Sequence, residues 1–308
     1  MIRFDGQVAI VTGAGRGMGR THALLLAARG ACVVVNDYGG DPSTLHPGTI
    51  DQAQSVVNEI TEAGGKAVAD GTMIGTGEAA GTVVERALDI FGRVDILVNN
   101  AGGALIGEID AFSDDEIEGV LRTNLIGPYM LIRRVWPYMR AQSYGRIVNI
   151  MSSATLGIGN IAAYASGKAG LIGLTADAAI DGRISNILVN GIFPTGASRL
   201  TEKSQPDVAL WYRTYFQPEK VSPMVAYLCS RELKTTGEIY NVGAGRVARL
   251  AIFDNDGMFE PAITPEAIEA NLDSIRDMSN ATMITSSWQQ TERYFAVAPW
   301  SGGKASIL

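Results

Sequence analysis

The chain has 308 residues, 46% of them hydrophobic, and a formal charge of -7 at pH 7. That is enough apolar material for one large or two small buried cores. The acidic balance excludes a basic nucleic-acid footprint and a polybasic membrane patch. The longest apolar runs are strand-sized, short of the ~18 residues a membrane-spanning helix needs. The first six residues lack the apolar core of a secretory leader. Cys32 and Cys229 are the only cysteines, each inside an apolar pattern. They read as packing thiols of a cytoplasmic protein in a reducing compartment. His22 and His46 are too scattered for a cluster, so no metal is expected. The final Ser306-Ile307-Leu308 lacks the basic middle residue of a peroxisomal Ser-Lys-Leu address, and no targeting is read from it.

Residues 7–11 form a short apolar run ending in Thr12-Gly13-Ala14-Gly15-Arg16-Gly17-Met18-Gly19, and an amphipathic pattern follows over 20–29. Strand, glycine turn and helix present backbone N–H groups and a helix N-terminus to phosphate. Met18 stands where G-x-G-x-x-G wants its last glycine, so Gly13, Gly17 and Gly19 read G-x-x-x-G-x-G. Such a turn alone is as readily a flexible loop. Its place between a strand and a helix favours a dinucleotide. Residues 32–36 are the second strand, closed by Asp37. An acid about 20 residues past the glycines accepts hydrogen bonds from the adenosine ribose and repels a 2′-phosphate. NAD is therefore expected over NADP. Arg16 pulls weakly the other way, and the plainer reading of Asp37 is a turn acid ahead of Gly39-Gly40.

A Pro- and Gly-containing loop over 41–48 leads to a helix over 50–63, stopped by Gly64-Gly65. A third strand covers 66–69 and a helix 78–91, with Thr72 and Met73 between them near the adenine edge. Residues 94–98 are an unbroken apolar run, as in a parallel strand buried on both faces. It ends in Asn99-Asn100-Ala101-Gly102, whose small residues let backbone approach a ligand. Ser113 and Glu116 form a capping box. The helical region it opens runs through Arg122-Thr123-Asn124 towards Met139, with a kink expected at Pro128. Asn124 there either packs or holds a water. The β-α alternation predicts an α/β fold, a single doubly wound parallel-sheet (Rossmann) domain whose ligands bind beyond the carboxyl ends of the strands.

The fifth strand, 146–150, runs into Met151-Ser152-Ser153 and then Tyr164-Ala165-Ser166-Gly167-Lys168. Tyrosine and lysine four apart share one helix face. An ammonium beside a phenol lowers its pKa from about 10, and such a tyrosine exchanges a proton with an alcohol oxygen. An isolated pair would be a half-buried tyrosine beside a solvated lysine.

Together with the Thr12 to Gly19 turn, Asn99 to Gly102 and Asn124, this constellation resembles the short-chain dehydrogenase/reductase family. Within it, Asn36-Asp37-Tyr38-Gly39-Gly40-Asp41, Ser198-Arg199-Leu200-Thr201-Glu202, Gly243-Ala244-Gly245 and Thr264-Pro265-Glu266-Ala267 look like the dehydrogenase part of the peroxisomal multifunctional enzymes of β-oxidation. The likeness runs from about Arg3 to about Ala281. This chain ends where the hydratase part of those enzymes would begin, so only the dehydrogenase is expected.

The resemblance implies that Tyr164 is the catalytic acid/base and that Lys168 lowers its pKa and binds the nicotinamide ribose. It implies that Asn124 holds a relay water and that a serine after strand five bonds the substrate oxygen. Counting forward, that serine is Ser152, 12 residues before Tyr164 and one closer than is usual in the family; Ser153 is the alternative. Cofactor contacts are implied at Gly13, Arg16, Gly17, Met18, Gly19, Asp37, Met73, Asn100, Ala101, Gly102, Pro194, Gly196 and Ser198, besides Tyr164 and Lys168. The loop Ile192-Phe193-Pro194-Thr195-Gly196 lacks the family's usual Pro-Gly pair. The implied activity is NAD-dependent interconversion of a secondary alcohol and a ketone, on a (3R)-3-hydroxyacyl-CoA. A hydroxysteroid or other bulky cyclic alcohol is the alternative. A non-catalytic NAD-binding sensor or scaffold has no need of the full Ser, Tyr, Lys and Asn set. A homodimer or homotetramer is implied.

Residues 186–192 read as the sixth strand. The polar and aromatic stretch 199–217 is either a substrate lid, spanning about 196–220, or an ordinary packed helix pair. Arg199, Lys203, Arg213 and Lys220 would meet CoA phosphates or simply face water. A helix over 219–230 and a last strand over 238–242 follow. After about Leu250 the sequence turns irregular, with Pro261, Pro265 and Pro299. The expected organisation is a catalytic domain over 1–250 and a C-terminal extension over 251–308, wrapping the core or a neighbouring subunit.

Overall fold

A computed structural model describes residues 1–40, 48–197 and 205–298. The chain divides into two compact units, Met1–Arg249 and Leu250–Leu308. In the first, β1 (Val8–Thr12), α1 (Gly17–Ala28), β2 (Cys32–Asn36), α2 (Asp51–Glu62), β3 (Lys66–Asp70), α3 (Gly77–Phe91) and β4 (Ile96–Asn99) alternate. Next come α4 (Asp114–Leu121), α5 (Gly127–Ala141), β5 (Gly145–Ile150), α6 (Ala162–Gly182) and β6 (Ile187–Pro194). The unit finishes with α7 (Pro206–Tyr215), α8 (Ser222–Leu228), β7 (Ile239–Gly243) and β8 (Arg246–Leu250). The strands form one sheet in the order β3-β2-β1-β4-β5-β6-β7-β8, parallel at every pairing from β3 through β7.

Successive strand residues feed opposite faces of the sheet. Ala9, Val11, Val33, Val35, Ile96 and Val98 pack with α1, α2 and α8, where Leu26, Ile60 and Val225 are buried. Val8, Ile10, Val34, Leu97 and Ile147 face the other way, against Val84 of α3, Leu131 of α5 and Ala178 of α6. Both faces are covered, which is why the strands read as continuous apolar runs. Of the cysteines, Cys229 is buried and Cys32 only partly so; neither is in a disulfide. No helix among the described residues is long and apolar enough to cross a membrane.

The Ser113–Glu116 capping box forms: Ser113 Oγ accepts from the Glu116 N–H, and Glu116 Oε2 accepts from the Ser113 N–H at 2.9 Å. The helix it starts is interrupted, but not by Pro128. Arg122–Ile126 is a single π-helical turn, and Pro128 sits in the first turn of α5. The cause is upstream: Asn124 Nδ2 donates to the Val120 carbonyl at 2.8 Å, the acceptor its own backbone N–H would use in an α-helix. Widening to a π turn, where the Gly127 N–H reaches the Arg122 carbonyl, accommodates both the side chain and the proline.

Two further departures from the sequence reading concern the end of the chain. Residues 246–250 are a strand, β8, at the sheet edge, entered through Ala244 and Gly245 at φ of +51° and +84°. That left-handed pair fits a two-residue hairpin turn. Three of the five β8 residues are exposed, so no alternation marks it in the sequence. The second unit, expected to be irregular, holds an antiparallel ladder of β9 (Ile252–Asp254) and β10 (Thr282–Ile284). Three short helices accompany it: α9 (Pro265–Ala270), α10 (Leu272–Arg276) and α11 (Ser287–Glu292). No described side chain of that unit is buried. It is tied by polar contacts, among them Arg293 to Asp256 at 2.7 Å and Asn255 to the Ile275 and Asp277 carbonyls at 2.8 Å.

Replacing Ser113 by alanine removes the cap ahead of the Asn124 turn. We expect a loss of about 1 kcal/mol, read as a lower denaturant midpoint with an unchanged m-value.

Candidate active site

The carboxyl ends of β1, β4, β5 and β6 converge on one edge of the sheet. At β1, the chain enters the glycine turn. Gly17 adopts φ +51° with nothing within 4 Å of where a Cβ would stand. A Cβ on Gly19 would run into the Gly13 carbonyl and the Asn100 amide. Arg16, at the N-cap of α1, makes no side-chain cap, and no acid occupies the first helical turn. The leading N–H groups of α1 thus keep their capacity for an anion.

Thr12 and Asn100 lock β1 to β4. Thr12 Oγ1 accepts from the N–H groups of Asn100 and Ala101 at 3.0 Å. Asn100 Nδ2 donates to the carbonyls of Thr12 and Gly13 at 2.8 and 3.1 Å. Thr12 was legible in the sequence only as part of the turn; its position at a strand end beside the glycines is the signal for this anchoring role.

Beyond β2, Asp37 accepts from the Gly15 N–H through Oδ2 at 2.9 Å and from the Gly39 N–H through Oδ1 at 2.8 Å. The carboxylate is thereby held against the glycine turn. Arg16 Nη2 points to the same place, donating to the Gly39 and Gly40 carbonyls at 3.3 and 3.2 Å. Asp70, which the sequence reading passed over, is buried on the neighbouring strand end. It accepts from Asn36 Nδ2 at 2.7 Å and from the Thr72 N–H at 2.9 Å. Met73 lies next to it, 44% exposed. Across the cleft, β6 ends at Pro194, and a Cβ on Gly196 would stand 3.0 Å from Met18 Sδ, so this loop meets the glycine turn. Ser198, Arg199 and Lys203 lie outside the described residues.

At the centre, α6 carries Tyr164 and Lys168. Lys168 is 2% exposed, and its Nζ donates to the Ile150 carbonyl at 2.7 Å. A Cβ on Gly102 would stand 2.7 Å from Asn124 Oδ1 and 3.2 Å from Lys168 Nζ. Both polar atoms therefore converge over Gly102. Asn124 is fully buried, with its Nδ2 on the Gly103 and Val120 carbonyls at 2.7 and 2.8 Å. Its Oδ1 has no hydrogen-bond partner among the described residues, an acceptor suited to a bridging water.

Ser152 lies close enough to the Tyr164 hydroxyl to stabilise its ionised form, whereas Ser153 is exposed and begins a short 3₁₀ turn. Of the two serines left open by counting, Ser152 is the one beside the phenol.

The charges differ from the expectation that Lys168 lowers the tyrosine pKa. Burial of the hydroxyl pushes the Tyr164 phenol above its ordinary value, and the nearby Ser152 hydroxyl only partly offsets this. The Lys168 ammonium lies 5.9 Å from the Tyr164 ring centroid. Burial brings Lys168 itself down to about 7, within reach of proton exchange near neutrality.

An α/β sheet with a cleft of this composition defines a dinucleotide-dependent class of protein. The short chain dehydrogenase model matches residues 7–208, and the chain belongs to that family. It is 40% identical over 288 residues to the mouse peroxisomal multifunctional enzyme type 2, covering 91% of this chain and 38% of that protein. The full-length Drosophila melanogaster peroxisomal multifunctional enzyme type 2 superposes with a TM-score of 0.80 at 32% identity. That match takes in 96% of this chain and 50% of the fly protein. A 7α-hydroxysteroid dehydrogenase solved with NADH and a 7-oxo bile acid superposes with a TM-score of 0.70 at 32% identity, over 79% of this chain. The chain thus spans half or less of these two multifunctional enzymes.

The depressed Lys168 pKa makes its burial a pH-dependent cost. A lysine free in the unfolded chain holds its proton up to about 10.5 and the buried one only to about 7. The unfolded state therefore binds more protons between these values, and stability rises with pH across that window. Lys168→Met removes this dependence. We expect the melting temperature of the variant, relative to the native chain, to be highest near pH 6 and to fall steadily as pH approaches 10. Thermal scans showing a constant difference would contradict a buried, titrating lysine.

Proposed function

We propose that this chain is an NAD-dependent oxidoreductase that interconverts a secondary alcohol and a ketone. The observation that carries the proposal is the meeting of Ser152, Tyr164, Lys168 and Asn124 at the carboxyl edge of the sheet, beside an anion-ready helix start. The residues fit a dinucleotide: the uncapped N-terminus of α1 for the pyrophosphate, Asp37 for the adenosine ribose, Lys168 for the second ribose. When bound, the nicotinamide supplies the hydride chemistry.

The protein's part is to hold the substrate oxygen and move its proton. Ser152 stands beside Tyr164, and a substrate oxygen would take its place between the two hydroxyls. In the oxidative direction Tyr164 Oη accepts the alcohol proton as the C–H bond breaks; in the reductive direction it returns it. Burial keeps the phenol protonated at rest, so loss of its proton depends on a nearby acceptor. Lys168, with a pKa brought to about 7, is suited to that exchange, and the unpaired Asn124 Oδ1 would hold the water that connects Lys168 outward. Asp37 favours NAD, because its carboxylate, fixed by Gly15 and Gly39, would face a 2′-phosphate with like charge.

The proposed substrate is a (3R)-3-hydroxyacyl-CoA, on the resemblance to the multifunctional enzymes. Another bulky alcohol such as a hydroxysteroid is the second reading, on the likeness to the hydroxysteroid dehydrogenase. Ile106, Leu156 and Ile158, on the loops that follow β4 and β5, are 56%, 72% and 72% exposed and would offer either substrate an apolar contact. The loops that carry them are joined by the Gly107 N–H to the Asn160 carbonyl at 3.0 Å.

Residues 1–250 would form the catalytic domain, with a lid over about 196–220 in which Trp211, Tyr212 and Phe216 cluster at 4.5 to 5.3 Å between ring centroids. Residues 251–308 would be an extension rather than a domain, since no described side chain there is buried. Two unpaired cysteines fit a reducing compartment, and we assign the protein to the cytoplasm. A homodimer or homotetramer is the proposed assembly.

Tyr164→Phe is expected to lower kcat by about a thousandfold or more while dinucleotide binding, followed by fluorescence, stays intact. Near-normal turnover in that variant would refute the assignment. Panels of hydroxyacyl-CoA and hydroxysteroid substrates, run with NAD and with NADP and read by reduced-nicotinamide absorbance, should show turnover of the acyl-CoA with NAD. Turnover of the steroid alone would transfer the assignment to the second reading. Dinucleotide binding with no oxidation of any alcohol would leave a sensor or scaffold.

A further inference from the structure

The amino-terminal rim of the sheet, remote from Tyr164, gathers positive charge that the proposed reaction does not use. Arg146 stands near the start of β5, four residues and about 13 Å before Ile150. It is 2% exposed. Its Nε donates to the Ser230 carbonyl at 2.9 Å, and its Nη1 to the Gly145 and Asn186 carbonyls at 2.8 and 2.9 Å. The carbonyls after the end of α8 lend partial negative charge. No carboxylate pairs with this guanidinium among the described residues. Its Nη2 makes no hydrogen bond among them either.

Two more cations share the place. Arg146 lies 4.3 Å from the centroid of the Tyr144 ring, and Arg231 lies 5.0 Å from the same centroid. These residues, with Asn186 and Lys234, line a hollow of about 310 Å³ that contains no acid. Neither Arg231 nor Lys234 has a carboxylate partner among the described residues. A second hollow of about 420 Å³ continues past Asn186 and Lys234 and adds Arg183. Its one acid, Glu238, is occupied by Arg249 at 3.2 Å.

A buried guanidinium without a counter-charge is costly, and neighbouring cations on one ring repel each other. A doubly charged oxyanion relieves both conditions: it gives Nη2 an acceptor and places negative charge among the three cations. The Tyr144 ring fixes the two guanidinium groups beforehand, which lowers the ordering cost of binding. A single carboxylate would leave more of the charge unmatched. We propose that this hollow is a binding site for a phosphate dianion, free or as a monoester, seated against Arg146, Arg231 and Lys234. The continuing hollow leaves room for the organic part of an ester.

The test uses the full chain saturated with whichever reduced dinucleotide it binds, so that the glycine turn cannot take up the probe. Inorganic phosphate is titrated at constant ionic strength against chloride, by calorimetry and by thermal unfolding. We expect saturable one-to-one binding and a rise in melting temperature of about 2 °C at ten times the dissociation constant. Arg231→Gln and Lys234→Gln, both at exposed positions, should each weaken binding about tenfold, and the double variant should abolish it. Arg146→Gln is the more direct change, but it also releases the β5–β6–α8 carbonyls, so the two exposed positions decide. Phenyl phosphate distinguishes the sources: binding of both probes identifies a monoester site, and binding of inorganic phosphate alone a free-anion site. Absence of saturable binding, or equal binding by the double variant, would overturn the proposal.

Discussion

The Lys168 ammonium lies inside the protein, on the Ile150 carbonyl, and much of the site is arranged to make that position tenable. A charge removed from water is costly unless hydrogen bonds and nearby dipoles replace the solvent. Ile150 supplies one acceptor at the end of a strand. Gly102 and Gly167 lack the Cβ atoms that would crowd Asn124, whose free oxygen faces the same space. The π turn in turn exists because the Asn124 amide takes a helical acceptor. A helix irregularity, two glycines and a strand end are thus parts of one solution to the burial of a single charge. The desolvation that these contacts do not replace brings the Lys168 pKa down to about 7.

The polarity of the parallel sheet does the rest of the positioning. Because all strands from β3 to β7 point the same way, everything that follows a strand falls on one rim. Thr12, Asp37, Asn100, Ser152 and Pro194 are far apart in sequence and share that rim for this reason alone. The opposite rim collects what precedes the strands, and there Arg146, Arg231 and Lys234 come together. The uncapped helix start of α1 and the cationic hollow thus lie at opposite rims. The bond network Asn99–Asn149–Thr175, at 2.9 and 2.8 Å, ties both central strands to α6 between the rims. It thereby fixes the helix that carries Tyr164 relative to the strand that ends beneath Lys168.

Residue patterns that repeat over several turns or a whole strand were legible before any coordinates. The β-α alternation, the glycine turn, the Ser113 capping box and the Tyr164–Lys168 pair are all local, and local backbone sterics and hydrogen bonding determine them. Features set by a distant partner were not. Pro128 drew the expected kink, while the deviation belongs to Asn124 and its reach to Val120 and Gly103. β8 and the β9–β10 ladder are short and exposed, so no burial pattern marks them. Asp70 shows its place only when Asn36 and Thr72 close around it.

The chemistry of the site divides in the same way. The sequence by itself determined the fold class and nominated the candidate site side chains, because periodicity and spacing act within a few residues. Only the tertiary structure decided that Ser152 rather than Ser153 stands beside Tyr164, that burial raises the phenol, and that Arg146 is enclosed without a counter-ion among the described residues. Each of these depends on how much water and which charges surround a group, and that environment is assembled from segments that no local pattern brings together.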